Sequence, residues 1–190
     1  MLHAPTFDIE RTRTADVDLP SAADEAVAEL LAALRVTGSS IAKQRVLFLG
    51  AGQAALEIAD RIVATMVAHG VAPAQARSAC WLFDSRGLVV ARRGDLAWRK
   101  RAYAHEHDLV LDFRSAVRCL KPTVIIGVAA APGEFSREVI EEMARLNVRP
   151  IICVPSRPGA KAECSARQAH EWSGGRALYV PSSGEVFRRP

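Results

Sequence analysis

The chain has 190 residues, 49% hydrophobic and 24% charged, with a formal net charge of +4. This composition excludes a disordered or fibrous protein, and the length is enough to bury a real core. There is no run of about 18 apolar residues to span a membrane and no basic-then-apolar leader, so the expected setting is the cytoplasm, with no membrane partner.

Residues 1–20 lack periodicity and read as a partly irregular N-terminal arm, with a single domain expected over 21–190. Ser21 has the character of an N-cap, with Asp24 three residues on. Ala26, Val27, Leu30, Leu31 and Leu34 repeat at helical spacing up to the break at Gly38-Ser39-Ser40. A strand is expected at 45–49 and a long helix at 53–69, with Gly70 as its stop. Pro73 starts a short helix over 73–78. A second strand covers 79–83, and Leu88-Val89-Val90 adds a short one after a turn at Ser85-Arg86-Gly87. A charged helical stretch follows over 95–106, then a helix over 113–120, a strand over 123–127, a Ser136-capped helix over 136–146 and a strand over 149–154. Ser165 and Gln168 make a capping box for a helix over 165–172, and a strand over 177–180 comes last. Strands that are continuous apolar runs alternating with helices predict an α/β fold, Rossmann-like and doubly wound, with a mainly parallel sheet and helices on both faces.

The most informative stretch is Arg45-Val46-Leu47-Phe48-Leu49-Gly50-Ala51-Gly52-Gln53-Ala54-Ala55. A strand runs into Gly-x-Gly-x-x-Ala and straight on into a helix. Gly50 makes the tight turn, and Gly52 lets backbone approach a pyrophosphate. Ala55 keeps helix and strand close, while Ala51, Gln53 and Ala54 complete the turn and the first helical N–H groups. Asp84 ends the next strand, 32 residues past Gly52, where an acid accepts hydrogen bonds from the adenosine ribose. Ser85 and Arg86 add a hydroxyl and a guanidinium suited to a 2′-phosphate, although Asp84 itself repels one. Gly127, Val128 and Ala129 follow a strand end where the cofactor crosses the sheet. The alternative reading of the glycines is a turn kept for packing alone.

Cys80, Cys119, Cys153 and Cys164 have no zinc or redox spacing; the first three lie in apolar surroundings and are expected to be buried thiols. Of the 25 basic residues, 21 are Arg. Residues 86–101 hold six bases, but no nucleic-acid module accompanies Trp98 and Tyr103, so nucleic acid is not an expected partner. His105-Glu106-His107 suggests a metal pair, but on a helix positions i and i+2 point apart, so a structural use is expected.

Further motifs carry a resemblance. Phe48-Leu49-Gly50-Ala51-Gly52-Gln53-Ala54-Ala55 is followed by Trp81-Leu82-Phe83-Asp84-Ser85-Arg86-Gly87-Leu88, Ala104-His105-Glu106-His107 and Lys121-Pro122-Thr123-Val124-Ile125-Ile126-Gly127-Val128-Ala129. Then come Arg149-Pro150-Ile151-Ile152, Ala162-Glu163-Cys164-Ser165-Ala166 and Gly175-Arg176-Ala177-Leu178-Tyr179. In order and spacing, over about 30–180, the chain resembles the NAD(P)-binding domain of malic enzymes. The resemblance implies NADP or NAD as cofactor, and in the family a divalent metal and the oxidative decarboxylation of malate. Lys100 falls at or next to a basic position associated with NADP in that family, which tilts the expectation toward NADP; the alternative for Arg86 and Lys100 is a solvated basic face.

The departures from the family matter equally. Its catalytic Tyr and Lys and its Glu-Asp metal pair belong to an N-terminal part that this chain lacks. The six positions of its Asp-Asp-Ile-Gln-Gly-Thr motif hold Val17, Asp18, Leu19, Pro20, Ser21 and Ala22, so Asp18 alone is left as a metal ligand, and hard cations need several oxygens. Arg157 replaces an Asn near substrate and nicotinamide, and is a candidate for the cofactor diphosphate or a carboxylate, with a loop salt bridge as the other reading. The expected function is dinucleotide binding within a malic-enzyme-related oxidoreductase, as a domain or subunit that a partner chain or homo-oligomer completes. The alternatives are a non-catalytic dinucleotide-binding sensor and an inactive remnant.

Overall fold

Ser21 opens the fold of the computed structural model, which describes residues 21–129, 131–155 and 162–181; the arm, Asp18 and Arg157 lie outside the described residues. The Ser21 hydroxyl accepts the Asp24 N–H at 3.2 Å, and the Asp24 carboxylate accepts the Ser21 N–H at 3.1 Å, so the capping box forms. Helix α1 (Ala22–Thr37) ends at Gly38 in the left-handed conformation. Strand β1 (Val46–Leu49), helix α2 (Gln53–Ala68), helix α3 (Pro73–Ser78) and strand β2 (Cys80–Asp84) follow, then β3 (Gly87–Leu88) and α4 (Trp98–Arg101). The second half runs α5 (Phe113–Leu120), β4 (Val124–Gly127), α6 (Arg137–Leu146), β5 (Ile151–Val154), α7 (Ala166–Trp172) and β6 (Leu178–Pro181).

The six strands form one sheet in the order β3-β2-β1-β4-β5-β6. Every neighbouring pair is parallel except β2 with β3. Because both faces are covered, the central strands are apolar throughout, and alternate residues feed opposite layers. Phe48, Leu82, Ile126 and Cys153 pack with α1, α2 and α3. Leu47, Ile125 and Ile152 pack with α5, α6 and α7. The chain order reverses direction between β1 and β4, which opens a crevice at their C-terminal ends.

Several expectations are corrected. The charged stretch over 95–106 is helical only at Trp98–Arg101. It has no apolar stripe; it is held instead by Leu96 and Tyr103, both buried, and the Tyr103 hydroxyl donates to Asp60 Oδ1 at 2.5 Å. Ser136 precedes α6 without capping it through its side chain, because its hydroxyl donates to Glu138. His105 and His107 are not helical. In an irregular segment both rings reach Trp81, with centroids 4.3 and 5.7 Å away, and the His105 ring bonds the Cys80 carbonyl at 2.8 Å. Cys119 is exposed whereas Cys164 is buried. On α5, Phe113, Ala116, Val117 and Leu120 take the inner face, and position 119 falls outside it.

Candidate functional site

At the end of β1 the chain turns through Gly50, whose φ of +116° strongly disfavours a side chain. Space excludes one too: a Cβ on Gly50 would lie 3.0 Å from the backbone carbon and oxygen of Val128. The turn is tied down by the Gly50 N–H donating to the Phe83 carbonyl at 2.7 Å and the Val128 N–H donating to the Leu49 carbonyl at 2.9 Å. Gly52 then caps α2 without any side-chain hydrogen bond, and a Cβ there would meet open space. Gln53 and Ala54 are exposed while Ala55 is buried against the core. No acid occupies the first turn of α2. An uncapped helix start with bare backbone in front of it suits the diphosphate of a dinucleotide, through N–H donors and the helix dipole.

This helix start borders a groove of ≈ 170 Å³ lined by Ala22, Ala23, Ala54, Glu57, Ile58, Val128 and Pro155. The groove runs from the starts of α1 and α2 to the residues just past β4 and β5, near the reversal of strand order where open α/β sheets take their ligands. Among the described residues Glu57 is the one charge in its wall, and it accepts the Gln53 side-chain N–H at 2.5 Å. A larger cavity of ≈ 250 Å³, lined by residues including Thr123, Asn147 and Ile151, lies at the opposite, N-terminal end of the central strands, away from every candidate residue.

Beside the turn, at the end of β2, four donors converge on Asp84. Arg93 takes both carboxylate oxygens at 2.9 and 3.2 Å, Lys100 Nζ donates to Oδ2 at 2.9 Å, and the Arg86 N–H donates to Oδ1 at 2.9 Å. Burial pushes the Asp84 pKa up, but these bonds outweigh it and the net shift is downward. Arg93 also reaches Asp95, and the hydrogen bond between them, ahead of the opposing burial, holds the Arg93 pKa above and the Asp95 pKa below their ordinary values. Ser85 is exposed, and the largely exposed Arg86 guanidinium pairs with Asp95 at 3.0 Å. Asp84, Ser85, Arg86 and Lys100 are thus brought together, and Arg93, only 7% exposed at its side chain, is the organising member that the sequence did not reveal. Its signal was indirect: an Arg nine residues past the acid, across the Gly87 turn that folds the chain back.

At the end of β4 the second unforeseen residue appears. Glu163 is fully buried, and its Oε1 accepts the Ala129 N–H at 3.1 Å. A Cβ on Gly127 would lie 2.7–2.8 Å from the Glu163 carboxyl group, so the absence of a side chain at Gly127 makes the room this acid occupies. In the sequence its only signal was its place in the Ala162-Glu163-Cys164-Ser165-Ala166 motif, which assigns it no role. Among the described residues no group of three or more His, Cys, Asp or Glu could hold a metal.

Sheet order, glycine turn and groove define a Rossmann-like dinucleotide-binding domain. The family model described as "Malic enzyme, NAD binding domain" matches residues 21–187. The chain belongs to the malic enzyme family through that NAD-binding domain. It is 45% identical over 166 residues to the NADP-dependent malic enzyme of Mus musculus, covering 87% of this chain and 29% of that protein. The chloroplastic NADP-dependent malic enzyme of Flaveria trinervia is 39% identical over 189 residues, covering 96% of this chain and 29% of that protein. The chain therefore spans less than a third of the length of these relatives. Its fold is shared with the malic enzyme of Entamoeba histolytica (TM-score 0.67, 23% identity, 86% of this chain and 32% of that one). The NAD-dependent malic enzyme of Thermotoga maritima shares it as well (TM-score 0.63, 17% identity, 83% of this chain and 39% of that one).

Proposed function

We infer that this chain binds a nicotinamide dinucleotide across the ends of β1 and β4, with NADP preferred over NAD, as the cofactor-binding part of a malic-enzyme-related oxidoreductase. The single observation that carries the reading is the uncapped start of α2 at Gly52–Ala54, opening on the groove beside Val128. Gly50, Ala51, Gly52, Gln53, Ala54 and Ala55 would hold the diphosphate, with Gly127, Val128 and Ala129 facing the other half of the cofactor. The preference for NADP rests on charge. Arg93 and Lys100 already offset Asp84, which lessens its repulsion of a 2′-phosphate and leaves Ser85 and Arg86 exposed beside it.

When bound, the dinucleotide supplies hydride transfer; this chain's own residues bind and orient it. A complete decarboxylation also needs a base, an acid and a metal that polarises the keto oxygen, and within this chain the family's motif positions at 17–22 and 157 are changed. A partner chain would supply them, and a cytoplasmic setting fits such a subunit. The basic residues of 86–101 favour this reading over a nucleic-acid face, because Arg86, Arg92, Arg93, Arg99 and Lys100 each pair with an acid. A dinucleotide-binding sensor without catalysis is the second reading, favoured by the same changed positions.

Calorimetric titration with NADPH and NADH tests the site: heat and a thermal shift with either are expected, and neither would end both readings. R86A should weaken NADPH by about tenfold and NADH little, the scale of one charge-assisted hydrogen bond at an exposed site; equal losses would remove the 2′-phosphate assignment. Pyruvate formed from malate, NADP and Mn²⁺ by the chain alone would show that it needs no partner.

A further inference from the structure

Arg99 brings a fixed positive charge to the start of α2. It lies on α4, and its Nη1 donates to Gln53 Oε1 at 3.1 Å, 46 residues back in the chain. Gln53 is the first residue of α2, next to the uncapped turn at Gly52. Arg99 Nη2 reaches Asp60 Oδ2 at 3.5 Å, about two turns further along the same face of α2. Asp60 is itself fixed, since its Oδ1 accepts the hydroxyl of the buried Tyr103 at 2.5 Å. Lys100, the next residue, holds Asp84 at 2.9 Å. Residues 99 and 100 therefore link the acid at the end of β2 to the glycine turn after β1.

These partners fall short of what a guanidinium can hold. The Gln53 carbonyl is neutral and the Asp60 contact is long. With described residues the side chain uses two of a guanidinium's five N–H donors, and it is 32% exposed. A guanidinium bonds anionic phosphate oxygens more strongly than a neutral amide, and often through two N–H groups at once. A diphosphate on the first N–H groups of α2 would also meet the like charge of Glu57, which is tied to the same Gln53 side chain at 2.5 Å; Arg99 supplies the opposing charge. Resting on the dinucleotide reading above, we propose that Arg99 is a further cofactor-binding residue, which exchanges the Gln53 carbonyl for the diphosphate and clamps it against the start of α2 from the α4 side. NAD and NADP both carry the diphosphate, so this contact serves them alike, unlike that of Arg86.

R99Q keeps a side-chain N–H for Gln53 while removing the charge. Calorimetric titration of the full chain should show NADP⁺ and NAD⁺ each weakened by about tenfold in R99Q, with adenosine 2′-monophosphate, which has no diphosphate, unchanged. Equal losses for all three would mean that Arg99 merely holds α4 in place. That result, a loss confined to NADP⁺, or undiminished affinity for the dinucleotides overturns the proposal. A measurement on the unaltered chain stands whether or not the variant folds and the short nucleotide binds. Phenylglyoxal modifies accessible arginines, and saturating NADP⁺ should protect Arg99 from it, read by peptide mass mapping; an unchanged rate at Arg99 overturns the proposal. If neither dinucleotide binds the unaltered chain, the dinucleotide reading falls, and this inference with it.

Discussion

Asp84 receives donors from Arg93, Lys100 and the Arg86 backbone, which gives the residue both a structural and an electrostatic task. Its folded pKa is below the ordinary value, so between the folded and unfolded pKa values the native state binds fewer protons than the unfolded one. The stability it contributes is fully present above about pH 4 and is lost as pH falls through the lowered folded value. In D84N the melting temperature should therefore fall less steeply on acidification than in the unaltered chain, read by thermal melts across pH 2–6. An identical acid slope in the two proteins would show that the ion pairs contribute nothing. The acid itself was legible from its place at a strand end. Its partners were not, because Arg93 and Lys100 reach it only once the chain folds back at Gly87, and nothing in their local sequence distinguishes them from solvated bases.

Among elements, α2 and α5 show how far periodicity carries. The inward stripe of α2, Ala55, Ile58, Ala59, Ile62, Val63 and Met66, is the one the spacing predicts. The thiols separate in the same way. Cys80 and Cys153 lie inside strands where burial raises their pKa, to about 12 for Cys80, while Cys119 lies on the outer face of α5. Cys119 alone should react promptly with a thiol reagent in the native protein, and Cys80, Cys153 and Cys164 only on unfolding. Prompt modification of two or more thiols without denaturant would contradict the burial. Local apolar neighbours misled the reading of Cys119, since a short helix buries one side only. The segment after β3 failed differently: its charges suggested a helix, but Leu96 and Tyr103 dock it irregularly onto α2 through Asp60.

The whole molecule is a six-stranded sheet with a groove at its reversal point and a malic-enzyme family membership that covers less than a third of its relatives' length. A ligand that binds only the native state stabilises it by mass action, by about 2.7 kcal/mol at a hundredfold excess over Kd. For a chain of this size that raises the melting temperature by about 5–10 °C. NADPH should produce this shift, and G50A should abolish it by forcing a side chain against Val128 at a positive φ. If G50A folds and still responds in full, the turn does not hold the ligand.

The sequence by itself determined the strands, the caps at Ser21 and Ser165, the glycine turn and the family, because each rests on residues within a few positions of one another. Only the tertiary structure decided which charges are satisfied. Asp84 is closed off by bases up to 16 residues away, and Glu163 is left with one bare oxygen against Gly127 and a bond to Ala129, 34 residues distant. Burial and pairing of a charge depend on what long-range folding places around it. For the same reason, the glycine turn marks a place for a phosphate, while the electrostatics of the two ends of the crevice come from contacts that no local pattern specifies.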